Sequence, residues 1–104
     1  MRVDPEENFV VRTKRSPTVE IDTEVSAAYV RFKRAKIART VRHASKWPIM
    51  TIDLDARGEV LGVEFVGVKR FDLEYLLRQV RLTVPAATMA HASYVSAEEG
   101  RVPA

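Results

Sequence analysis

The sequence predicts an α+β fold: a small antiparallel β-sheet of about five strands, joined as meanders and hairpins, covered on one face by a C-terminal helix near residues 72–83. Three observations carry this. Short stretches of alternating apolar and polar residues recur between residues 18 and 66. Met50 to Phe65 forms two of them around Asp55-Ala56-Arg57-Gly58, the strongest hairpin signal in the chain. Leu73, Leu76, Leu77 and Val80 then follow the i, i+3, i+4, i+7 spacing of one helix face.

Composition narrows the function classes. A chain of 104 residues holds one domain with a modest core, and 46% hydrophobic with 30% charged residues fits a folded protein. Without cysteine there is no disulfide framework, no thiolate nucleophile and no Cys-based zinc site. No apolar run approaches the roughly 20 residues that span a bilayer. Asp4, Glu6 and Glu7 replace the apolar region of a signal peptide, so a cytoplasmic location is the expectation. Charge is unevenly placed: residues 1–46 hold 11 Lys/Arg against 6 Asp/Glu, whereas residues 47–104 hold 6 against 8. The basic half points to partners and says nothing about fold.

Taken in order, residues 1–17 read as an N-terminal arm, with room for one edge strand at 9–13 in Phe9-Val10-Val11. Thr18 to Asp22 alternates, with Val19 and Ile21 on one side, and is a short strand. Asp22 opens a turn through Ser26. Ala27 to Lys33 is a second strand, with Ala28, Val30 and Phe32 opposite Tyr29, Arg31 and Lys33. A polar turn, Lys33 to Lys36, leads to a third strand from Ile37 to Arg42. Trp47-Pro48 stops pairing before the hairpin, with Trp47 as a lid on one end of the core. Asp72 caps the helix, Glu74 and Arg78 suit its dipole, Phe71 staples onto Leu76, and Pro85 ends it. Residues 18–84 therefore make the domain, and 85–104 read as a loosely attached tail, or as packing on a second subunit if well ordered.

The register of the hairpin follows from its faces. A three-residue loop pairs Leu54 with Val60 and brings Glu64 onto the face of Met50, Ile52 and Leu54. A four-residue loop pairs Leu54 with Glu59 and aligns those residues with Leu61, Val63 and Phe65, so burial favours it. Gly58 takes the left-handed turn position, and Gly62, in mid-strand, marks a bulge or a close approach.

Val19-Glu20-Ile21-Asp22-Thr23-Glu24-Val25-Ser26-Ala27-Ala28-Tyr29-Val30-Arg31-Phe32 is a strand, an acidic turn and an Ala-x-Tyr-hydrophobic strand; in Met50 to Phe65 an Asp-rich strand turns at Gly and returns through Val-x-Gly-Val-Glu-Phe. Together these resemble the small bacterial domain-of-unknown-function family 2283 over residues 18–67, about half of the chain. The resemblance implies a compact antiparallel β domain with no established activity and no catalytic residues to carry over. It also suggests an antitoxin-like setting. Lys33, Arg34, Lys36, Arg39 and Arg42 stand where the family tends to be acidic.

Catalytic chemistry finds no support. His43 and His91 lie far apart with no ligand-spaced carboxylates, so no metal is expected. Asp22 with Glu24, and Asp53 with Asp55, sit in or beside turns where acidic residues are ordinary. Gly58, Gly62 and Gly67 form no phosphate loop, and Ser26, Ser45, Ser93 and Ser96 lie in no nucleophile motif. The expectation is a non-enzymatic interaction module without cofactor, self-associating or binding a partner protein. The alternative is nucleic-acid binding, or capture of an acidic partner, through Tyr29, Arg31, Lys33, Arg34, Lys36, Arg39, Arg42 and Lys46 on two adjacent strands and their turn. Against it stands the ordinary use of Lys and Arg to keep a sheet edge soluble.

Overall fold

A computed structural model describes residues 9–43 and 47–97. Its strands are β1 (Phe9–Val10), β2 (Thr18–Asp22), β3 (Ala27–Arg31), β4 (Arg39–Arg42), β5 (Ile49–Leu54), β6 (Val60–Val66), β7 (Leu82–Thr83) and β8 (Ser93–Ser96), with helices α1 (Leu73–Arg78) and α2 (Ala86–Met89). The result is a β-rich α+β domain. The sheet has six strands in the order β4-β5-β6-β3-β2-β8, and β1 pairs with β7 in a separate parallel ribbon. Expected instead were about five antiparallel strands. The sheet is mixed because β8 joins β2 in parallel, Val19 beside Tyr94 and Ile21 beside Ser96.

Alternation in the sequence becomes one oily face. Val41, Ile52, Val63, Val30 and Val19 stand opposite one another across five strands, each 0–1% exposed. Burying a residue of this size contributes roughly 1.5–3 kcal/mol, so this row is a large part of the driving force. Met50, Phe65 and Ala28 form the next row. Phe9, Val11, Val68, Leu73, Leu76 and Val80 belong to the same buried cluster.

Helix α1 is much shorter than its apolar stripe. Asp72 caps it by accepting from the Tyr75 amide at 3.2 Å, as the sequence indicates. It stops at Arg78, because Leu82 and Thr83 are extended to pair with Phe9 and Val10. Tertiary pairing thus overrides helical spacing beyond one and a half turns. The arm is likewise drawn inward, with Phe9 and Val11 in the core and the Thr88 hydroxyl donating to the Thr13 carbonyl at 2.6 Å. Residues 9–17 and 85–97 therefore pack with 18–84; residues 1–8 and 98–104 lie outside the described part.

At the hairpin, Leu54 pairs with Val60 and not with Glu59, so the loop has three residues. The Asp55 amide donates to the Glu59 carbonyl at 3.0 Å, and Gly58 sits at φ +81°. A bulge then restores the faces, aligning Ile52 with Val63 and Met50 with Phe65. Met50, Ile52, Val63 and Phe65 share one face as expected, and Leu61 is the extra residue that the bulge accommodates. Trp47 is no lid: it is 66% exposed and its indole lies against Gly67.

Strands β3 and β4 are not neighbours, since β5 and β6 lie between them. With β4, β5 and β6 consecutive and β3 beside β6, the four make a Greek key. The 32–38 connection runs past the hairpin tip, with the Phe32 and Lys33 amides donating to the Leu61 carbonyl and Ala38 to Leu54. The expected adjacent pair of basic strands does not form.

Candidate interaction surfaces

The sheet face opposite the core carries two polar rows. One runs Thr40, Asp53, Gly62, Arg31, Thr18; the other runs Arg42, Thr51, Glu64, Tyr29, Glu20. Tyr29 lies across Gly62, whose missing side chain makes room for the phenol ring. Its hydroxyl donates to Asp53 Oδ2 at 2.8 Å, while the Thr40 hydroxyl donates to Asp53 Oδ1 at 2.6 Å. Asp53 is thereby a buried but satisfied carboxylate. Burial, then the hydrogen bond and charge of Asp53, push the Tyr29 phenol far above its ordinary pKa.

Arg31 stacks over the Tyr29 ring at 4.9 Å and pairs with Glu20 at 2.8 and 3.4 Å. The hydrogen bond to Glu20 raises the guanidinium pKa further. Lys33 reaches the hairpin tip, with Nζ 2.9 Å from Asp55 and 3.0 Å from Glu59, and these bonds raise its pKa. Arg12 approaches Glu59 at 3.6 Å. Of the expected basic set, then, Tyr29, Arg31 and Lys33 are engaged within the fold. Arg34, Lys36, Arg39 and Arg42 are exposed and make no ion pair among the described residues. Lys46 lies outside those residues. Arg39 and Arg42 line the β4 edge, whereas Arg34 lies in the connection between β3 and β4.

The opposite edge differs in kind. Strand β8, Ser-Tyr-Val-Ser, bears no charge, and Tyr94 and Val95 are 49% and 45% exposed. A groove of about 560 Å³ borders it on one side, lined by Thr18, Glu20, Arg34 and residues 94–97. A second, of about 250 Å³, is lined by Ile21, Thr23 and residues 94–96. Exposed Val25 lies on the turn that leaves β2. The Tyr94 hydroxyl accepts from the Leu73 amide at 2.9 Å, which ties this edge to the first turn of α1. Sequence reading missed the edge, although the central Tyr-Val pair is β-prone.

The acidic pairs have structural duties. Asp22 accepts from the Glu24 amide at 3.1 Å, and Asp55 Oδ1 accepts from the Arg57 and Glu59 amides at 2.9 Å. His43 is half-buried, and burial followed by the charge of Arg81 lowers its pKa, while His91 is exposed. Among the described residues no group of three or more His, Asp or Glu could hold a metal ion, and no helix is long and apolar enough to cross a membrane. No family model, curated protein or solved structure matches the chain.

Proposed function

We propose that the protein is a non-enzymatic interaction module that self-associates through the β8 edge. The observation that carries this is the contrast between the two ends of one sheet. Edge β4 is guarded by Arg39 and Arg42, as solvent-facing edges commonly are. Edge β8 has no charge, two exposed apolar residues and a groove on either side. An added strand places alternate side chains in two such grooves while its backbone completes the ladder.

A second copy of the chain fits this edge. The Ser93 amide donates inward to the Pro17 carbonyl at 3.1 Å, so backbone alternation turns the Tyr94 amide and carbonyl outward. Antiparallel pairing about a two-fold axis sets Tyr94 opposite Tyr94 of the second copy, donor to acceptor and with no charge facing a like charge. Light scattering after size exclusion should return about twice the 11.8 kDa chain mass, and Val95→Lys should halve it. A monomer mass for the unaltered protein at working concentration would sink the proposal.

A further inference from the structure

Where β2 begins and β3 ends lies a groove of about 470 Å³, within the size range of small-ligand sites. Four cations line it, Arg15, Arg31, Lys33 and Arg34, and among the described residues no carboxylate does. Thr13, Ser16 and Thr18 add hydroxyls, and buried Phe32 forms part of the wall. The Thr13 hydroxyl accepts from the Arg15 amide at 3.2 Å, a local bond that shapes the chain before β2.

The charges divide cleanly. Glu20 balances Arg31, and Asp55 with Glu59 balance Lys33 with Arg12. Arg15 and Arg34 have no ion-pair partner among the described residues, which leaves two uncompensated positive charges at one groove. The paired cations are held in place without being used up. Lys33 spends two of three ammonium donors, and Arg31 turns only part of its guanidinium fork to Glu20. Donors fixed by the fold beside two free guanidinium groups suit a tetrahedral dianion, since the planar fork matches phosphate oxygens in pairs.

We infer that this groove binds phosphoryl groups, with Arg15 and Arg34 as the principal contacts and Arg31 and Lys33 as positioned donors. This groove shares Thr18 and Arg34 with the groove beside β8, so light scattering on the same variants separates loss of phosphate binding from loss of self-association. Phosphate of this kind is carried by a small polyphosphate ligand or by a nucleic-acid backbone, and two arms of one experiment separate them. Calorimetry at low salt would titrate the full chain with pyrophosphate. Fluorescence anisotropy would follow a short single-stranded oligonucleotide as salt rises. Arg15→Gln/Arg34→Gln should weaken the binding by about tenfold or more, whereas Arg57→Gln, on the exposed hairpin turn, should not. Thermal melts would verify that both variants remain folded. Saturable pyrophosphate binding lost in the double variant supports a small-ligand site. Oligonucleotide binding whose salt slope falls in that variant supports the nucleic-acid source. No binding in either arm, or binding indifferent to Arg15 and Arg34, overturns the inference.

Discussion

Gly62 shows how a single missing side chain organises a sheet face. A Cβ there would collide with the Tyr29 ring, and that ring carries the hydroxyl that satisfies buried Asp53. Gly58, by contrast, has open space around it and is needed for its positive φ. The two glycines therefore answer different demands, space and backbone conformation. Gly62→Ala should cost about 1–3 kcal/mol in denaturant unfolding, because Tyr29 must swing away and leave Asp53 under-bonded. In a Tyr29→Ala background the same change should cost clearly less. Equal costs in both backgrounds would show that the contact is not the cause.

Among elements, the hairpin tip is held by a charge clamp, and its pH dependence has a definite sign. Lys33 depresses the Asp55 pKa, so the stabilisation from Asp55 is present above the ordinary carboxylate pKa and lost as pH falls through the lower folded value. Lys33 itself is raised, so its share is present below the ordinary lysine pKa and lost as pH rises through the higher folded value. Thermal unfolding of Lys33→Met should show a shallower loss below about pH 4 and above about pH 10 than the parent protein. Identical pH profiles would remove the clamp from the account. The same tip explains the missed register. A three-residue loop with Gly in the left-handed position satisfies the turn, and a bulge at Leu61 satisfies the core face. Loop length and core face are not alternatives, because the bulge reconciles them.

For the molecule as a whole, the segments that read as arm and tail close the structure. Phe9 and Val11 enter the core, β7 exists to pair with β1, and β8 covers the edge of β2. Truncation after Val84 would remove α2 and β8, expose the β2 edge and leave the Thr13 carbonyl without the Thr88 hydroxyl. The shortened chain should lose its cooperative thermal transition or aggregate. A cooperative monomeric melt close to the parent's would show residues 18–84 to be self-sufficient. The basic half illustrates the same point. Its residues are close in the chain, yet the Greek key sends Arg39 and Arg42 to one edge and puts two strands between them and β3, at whose end Arg31, Lys33 and Arg34 line a groove with Arg15.

Strand alternation, the Asp55–Gly58 turn and the Asp72 cap were legible in the sequence because each rests on neighbours within a few residues. Their physics is local: which side a residue faces, which φ it tolerates, which amide lacks a partner. What only the tertiary structure decided was long-range: β8 in parallel beside β2, the early stop of α1, and which cations pair internally and which remain free. Those outcomes depend on backbone and charge partners far apart in the chain, whose meeting no local pattern encodes.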